Sequence, residues 1–296
     1  MKRNTRLIPI SQALLVTFLW STSFIIIKWG LVEIPPVSFA GIRYFIAFLF
    51  FVPWVFIKSS YRTELISLNK SDIKRLITLG IIFYSITQGA QFLGLYYLPS
   101  VTVSLMLNFT PIIVAIAGIF FLSEKPTILQ WIGVIGFVLG IIFYFYSANF
   151  NGGKIIGVII MVAGVLANSV SALLGRSINR EAKISPIIVT FVSMGIGSLI
   201  MLIVGLILNG IPQISLKTFG YIIWLSLINT TVAFTIWNHT LRNLTAMESS
   251  IINGTMLIQL AILAWFFLGE EITIMEGLGM LIAAISALLV QIKKWK

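Results

Sequence analysis

Ten apolar runs, each close to 20 residues long, follow one another through a chain of 296 residues. No other feature constrains the fold as tightly. About 20 apolar residues in a helix match the hydrocarbon thickness of a bilayer, and such a span satisfies its own backbone hydrogen bonds there. The spans fall at 10–30, 37–57, 75–95, 100–121, 128–147, 155–174, 186–207, 219–240, 247–267 and 274–292. Between them lie breakers: Pro35-Pro36, Pro126, Asn151-Gly152-Gly153 and Gly210 with Pro212. Only the stretch 58–74 is longer than a turn. The start, with Lys2, Arg3 and Arg6 before an apolar run, resembles a signal peptide, but the run is too long and no small-residue cleavage site follows it. It is expected to be the first span. The expected class is an all-α integral membrane protein with ten transmembrane helices.

Composition supports this. Apolar residues make up 58% of the chain and charged ones 10%, against about 25% charged in a soluble domain. A soluble surface could not be covered by so few polar groups. The net charge of +11 would suggest nucleic acid in a soluble protein. Here it is one-sided. Sixteen of the 20 basic residues fall before the first span, after the last, or in alternate connections such as 58–75 and 176–183. Lys154 and Lys217 lie opposite, and Lys28 and Arg43 lie within spans. Positively charged loops stay inside, so both termini are expected in the cytoplasm, with the chain multi-pass in the inner (plasma) membrane and no nucleic-acid partner. With no cysteine and one histidine, disulfides, thiolate metal sites and His-rich metal sites are excluded. No cofactor or metal is expected.

The chain repeats itself. At an offset of 146, Ser104 meets Ser250, Phe120-Phe121-Leu122 meets Phe266-Phe267-Leu268, Glu124 meets Glu270, and Thr127-Ile128 meets Thr273-Ile274. The expected repeats are 1–148 and 149–296. Five spans per copy is an odd number, so the second copy enters the membrane from the other side. Inverted repeats of this kind place substrate sites near the midplane, in a central cavity at their interface. Thr127-x-x-Gln130 and Thr273-x-x-Glu276 form capping boxes. Glu124 and Glu270 are expected to assist helix starts through the helix dipole rather than to act in catalysis.

Leu19-Trp20-Ser21-Thr22-Ser23-Phe24, then Lys28, Pro35-Pro36 and Ala40-Gly41-Ile42-Arg43-Tyr44-Phe45-Ile46-Ala47 resemble the opening of an EamA-type transporter of the drug/metabolite transporter superfamily. Asn108-Phe109-Thr110-Pro111 followed by Phe120 to Glu124 resembles that family's fourth span, and Phe266 to Glu270 its ninth. The resemblance implies ten helices in two inverted repeats around a central cavity, and export or exchange of small metabolites. Two positions depart from symmetry between the halves: Leu257 stands opposite Pro111, and Ser193 opposite Arg43 when Pro36 is aligned on Pro186. Small multidrug-resistance relatives use a carboxylate in the first span. None stands there in this chain, so that mechanism does not carry over.

Ionisable groups within spans are costly and tend to face a cavity or a partner. Arg43 is the clearest, either an anchor for an anionic substrate group or a snorkelling or helix-bridging residue. Tyr84, Gln88 and Gln91 share a stripe of the third span by their 4 + 3 spacing. Thr230, Phe234 and Trp237 hold the matching stripe of the eighth, which would make one wall amide-rich and the other aromatic. Trp20 and Ser23 in the first span, Asn108 beside Pro111 in the fourth, Asn168 in the sixth, Asn229 in the eighth and Asn253 in the ninth complete the candidate lining. A lone Asn or Ser in a span is more often interhelical glue. Glu248 is the best carboxylate for proton coupling, against a reading as a solvated helix-start acid. Gly136-x-x-x-Gly140 has the spacing of close helix packing or a homodimer contact.

The leading function is a secondary transporter of small organic metabolites such as amino acids, exporting by alternating access, and not an enzyme. No G-x-x-x-x-G-K-[ST] loop occurs, so energy would come from a gradient or from exchange. An intramembrane enzyme acting on lipid-type substrates would need clustered acids, yet Asp72 is the sole aspartate and Glu270-Glu271 the sole adjacent acidic pair. A channel would need a symmetric ring of groups.

Overall fold

The structure, a computed structural model, describes residues 4–122, 127–146, 152–181, 183–240, 244 and 246–291. Among these, every regular element is helical. The helices are α1 (Asn4–Gly30), α2 (Pro36–Ile57), α3 (Ser59–Ile66), α4 (Lys70–Leu79), α5 (Gln88–Tyr97), α6 (Ser100–Leu107), α7 (Thr110–Leu122), α8 (Ile128–Tyr146), α9 (Gly152–Arg180), α10 (Pro186–Asn209), α11 (Leu216–Ser226), α12 (Ala233–Thr240), α13 (Ala246–Leu268) and α14 (Ile274–Gln291). Each of the ten expected spans has its helix. Seven are long and apolar enough to cross a bilayer, and shorter apolar helices, Ser100–Val114, Ile252–Leu268 and Ile274–Leu289, occupy the fourth, ninth and tenth spans. This is a multi-pass membrane protein. Exposed rows such as Ile135, Leu139 and Ile142 on α8 are the apolar surface that lipid covers.

Three spans are less regular than hydropathy alone suggests. The third and eighth each contain a π-helical stretch, Gly80–Thr87 joining α4 to α5 and Leu227–Val232 joining α11 to α12. At the repeat offset of 146 these two stretches coincide. The fourth span is broken at Asn108-Phe109. Pro111 has no amide proton to give the Leu107 carbonyl, and Asn108 turns its side-chain amide back onto the Ser104 carbonyl at 2.9 Å. The third span also begins earlier than expected, at Lys70 instead of 75. There Asn69 accepts from the Asp72 amide at 2.9 Å, a local cap that a hydropathy window passes over. Both expected capping boxes are present. Thr127 N donates to Gln130 Oε1 at 2.9 Å and Gln130 N to Thr127 Oγ1 at 3.3 Å. The matching bonds between Thr273 and Glu276 are 2.8 and 3.2 Å.

The chain divides into two compact units. One comprises Met1–Ile25, Tyr97–Val158 and Ala233–Lys296, the other Ile26–Tyr96 and Ile159–Val232. Each draws on both sequence repeats, and the eighth span passes from one unit to the other directly after its π stretch.

In the first unit, α8 packs along α14, its repeat counterpart. A Cβ on Gly140 would come within 2.7 Å of Ala283 N and Gly279 O, and one on Gly136 within 2.5 Å of Ser286 Oγ. Gly136 and Gly140 therefore serve close packing inside the chain. In the second unit, α2 packs along its own counterpart, α10. Ser38 Oγ donates to Gly205 O at 3.2 Å, and Gly41 lies against the Leu202 backbone. In both crossings, early residues of one helix meet late residues of the other, so the paired counterparts are antiparallel. That is the relation an inverted copy requires.

Candidate functional site

Arg43 is carried into the second unit by α2, which opens on Pro36, a residue whose fixed φ suits a first helical turn. The side chain is 4% exposed. Its guanidinium donates from Nε and Nη2 to one acceptor, Thr230 Oγ1, at 3.3 and 3.2 Å. It also sits 5.1 Å from the Tyr44 ring centroid and 5.9 Å from that of Phe92. Among the described residues no carboxylate pairs with it, and Nη1 makes no hydrogen bond. An arginine carries five donors and stays charged. This one is buried with most of its donors unspent.

The π stretches supply its surroundings. Within them the hydroxyls of Thr87, Thr230 and Thr231 donate to carbonyls five residues earlier, those of Ile82, Leu225 and Ser226, at 3.0, 2.8 and 3.0 Å. A widened turn exposes such carbonyls, and π turns recur at functional sites. Ser226 Oγ donates to the Arg43 carbonyl at 2.8 Å. The eighth span thus holds both the backbone and the side chain of Arg43. From the third span, Gln88 Oε1 accepts from the Tyr44 hydroxyl at 2.6 Å, and the Tyr84 ring meets the Tyr44 ring edge-on at 5.6 Å. Arg43, Tyr84 and Gln88 are therefore brought together, through Tyr44. Gln91 is half-buried and makes no hydrogen bond with a described residue.

A second cluster lies in the first unit. Trp20 meets Phe234 at 5.4 Å and Trp237 at 5.2 Å. Trp20 projects from the side of α1 opposite its exposed row of Leu14, Leu15 and Phe18, yet it is itself half-exposed. Of the stripe expected from Thr230, Phe234 and Trp237, Thr230 bonds to Arg43, and Phe234 and Trp237 meet Trp20.

The remaining candidates have varied surroundings. Ser23 is buried and donates to its own helix at Trp20 O, 2.7 Å. Asn108 is spent on the break in the fourth span. Asn168 is half-buried, its carbonyl accepting from Ser171 at 2.8 Å. Asn229 is fully buried inside the second π stretch. Asn253 is exposed on α13. The side chain of Glu248 lies outside the described residues. Tyr44 and Ser226 escaped the sequence reading, the first hidden in an apolar helix and the second a serine no different in pattern from its neighbours. An open groove of about 530 Å³ near Trp265 and Glu271 contains none of the candidate residues. Among the described residues no group of three acids or histidines could hold a metal ion.

The acids do structural work at helix starts. Glu270 Oε1 accepts from Ser100 N and Oγ at 2.8 and 2.9 Å, and Oε2 from Val101 N at 3.3 Å. Glu270 therefore caps α6, not the helix that follows it in sequence. Glu33 accepts from Ser215 N and Oγ at 3.2 and 3.0 Å before α11. Glu64 accepts from Ser185 N before α10. Glu124 lies outside the described residues.

Comparison with known proteins places the chain among transporters. The model of the EamA-like transporter family matches residues 7–146 and again 155–292. An uncharacterized transporter of Bacillus subtilis, YoaV, is 23% identical over 90% of this chain and 91% of its own. An uncharacterized transporter of Archaeoglobus fulgidus is 25% identical over 81% and 82%. An S-adenosylmethionine/S-adenosylhomocysteine transporter of Chlamydia trachomatis is 22% identical over 86% and 80%. A solved crystal structure shares the fold, with a TM-score of 0.68, 13% identity, and 95% and 96% of the two chains covered.

Proposed function

This chain belongs to the EamA-like transporter family, and we propose that it is a secondary transporter that exports small organic metabolites bearing a carboxylate, amino acids among them. Its two inverted repeats, 1–148 and 149–296, alternate access to the site from the two faces of the plasma membrane, with both termini cytoplasmic.

The observation that carries this reading is Arg43. A charge buried in a span is costly unless it is used, and here no acid of the described chain uses it. A carboxylate accepts bidentately from a guanidinium, and Nη1 with its free donors is where such a group would dock. Tyr44, Tyr84 and Gln88 give the same place a polar and aromatic lining suited to a zwitterion. The Chlamydia relative, named for a solute that carries an amino-acid head, supports this class.

The test is counterflow in proteoliposomes, with amino acids and S-adenosylmethionine as probes. Saturable exchange is expected in the unaltered protein and its loss in Arg43→Gln. Unchanged exchange in Arg43→Gln, or conductance beyond a carrier's turnover, would defeat the proposal.

A further inference from the structure

We infer that Thr230 is a positioning residue that determines specificity: it holds the Arg43 guanidinium in place without neutralising it, keeping the charge for the substrate. The inference rests on the carboxylate reading of Arg43 and goes beyond it to a residue on another helix.

Thr230 is fully buried. Its hydroxyl hydrogen is committed to Leu225 O at 2.8 Å, so the oxygen faces Arg43 only as an acceptor. Nε and Nη2 share that oxygen at 3.3 and 3.2 Å. A carboxylate in its place would form a closed ion pair and cancel the charge. A hydroxyl fixes the plane of the guanidinium and leaves the charge whole.

The π stretch makes this possible. In an α-helix the hydroxyl of a threonine reaches carbonyls three or four residues back. Here it reaches five back, and the same wide turn aims Ser226 Oγ at the Arg43 carbonyl, 2.8 Å away. Two consecutive turns of one span therefore clamp one residue of another, at its backbone and at its side chain. The counterpart stretch in the third span, Gly80–Thr87, packs against α10. There it meets Ser193, the residue that stands where Arg43 stands in the other repeat. Ser193 spends its hydroxyl on its own helix, donating to Val189 O at 2.6 Å, so of the two counterpart positions only Arg43 brings a charge to such a stretch.

The experiment compares thermal unfolding of the full chain in detergent with each of the twenty amino acids and S-adenosylmethionine against the corresponding carboxamide. In the unaltered protein at least one acid should stabilise more than its amide. Thr230→Val, which keeps the shape and removes the hydroxyl, should reduce that preference roughly tenfold or more in apparent affinity. Thr230→Ser should retain it, and Arg43→Gln should abolish it. A preference unchanged or larger in Thr230→Val, or lost equally in Thr230→Ser, overturns the role of Thr230 and leaves the anion site standing. No acid-over-amide preference in the unaltered protein, or one that survives Arg43→Gln, overturns the carboxylate reading itself.

Discussion

Glu270 caps a helix that begins 170 residues before it, with its Oε1 accepting from the Ser100 amide at 2.8 Å and the Ser100 hydroxyl at 2.9 Å. The N-cap of α6 is Pro99, which offers no side-chain acceptor. The free amides of the first turn are satisfied instead by a carboxylate from the loop between α13 and α14. Glu270→Ala should lower stability by about 1–3 kcal/mol, since it leaves part-buried donors without a partner. Glu270→Gln should cost less, because one amide oxygen remains. Chemical unfolding in detergent reads both, and a double-mutant cycle with Ser100→Ala isolates the coupling.

Glu33 makes a comparable tie to the start of α11, at an exposed position where pH can act on it. Hydrogen bonds from the Thr218 and Ser215 side chains, then from the Ser215 amide, hold its carboxyl below the ordinary carboxylate value. A depressed folded-state value means the tie is fully present above the unfolded-state pKa. It is lost as pH falls through the folded one. Amide exchange at Ser215 and Thr218 should therefore speed up on acidification below about pH 4.3, the unperturbed glutamate value, relative to amides with no carboxylate partner. In Glu33→Gln that acid-induced change should vanish. An unchanged acid response in that variant would contradict the assignment.

The antiparallel crossing of α8 and α14 predicts a contrast between glycines. A Cβ on Gly140 would lie 2.7 Å from two backbone atoms, Ala283 N and Gly279 O, which cannot turn aside as a side chain can. Gly140→Ala is expected to destabilise by about 1–3 kcal/mol. Gly277, with nothing within 4 Å, should accept alanine at no cost or gain up to about 1 kcal/mol of helix propensity. Thermal unfolding of the two variants side by side checks the ranking.

The two capping boxes give a local comparison. Thr127→Ala and Thr273→Ala should each cost about 1 kcal/mol. Thr273→Ser, which keeps the acceptor for Glu276 N, should be close to neutral. Equal losses in the serine and alanine variants would show that the methyl group, not the hydroxyl, matters at Thr273.

Features governed by near neighbours were legible in the chain itself. The ten spans follow from run length against the bilayer, and Thr127 with Gln130 pairs over three residues by helical geometry alone. The antiparallel relation of α2 to α10 follows from an odd number of spans per repeat. Legibility ends where a partner is chosen by distance in space. Glu270 lies beside Thr273 in sequence and suggests a role at its own helix, yet it serves Ser100. The 4 + 3 spacing of Thr230, Phe234 and Trp237 assumes an unbroken α-helix, and the π stretch Leu227–Val232 leaves no mark in that spacing. Tyr44 and Ser226 carry no pattern that separates them from an ordinary span residue.

By itself, then, the sequence determined a multi-pass, two-repeat membrane protein with one arginine stranded in its second span, because hydropathy, charge asymmetry and repeat offset are properties of order along a chain. Only the tertiary structure decided what that arginine faces. The π stretch of the eighth span brought Thr230 to its guanidinium, Ser226 just before that stretch bonded its carbonyl, and Tyr44 tied it to Gln88. A buried charge takes its chemistry from the donors and acceptors within about 3 Å of it, and those neighbours are set by packing, not by sequence distance.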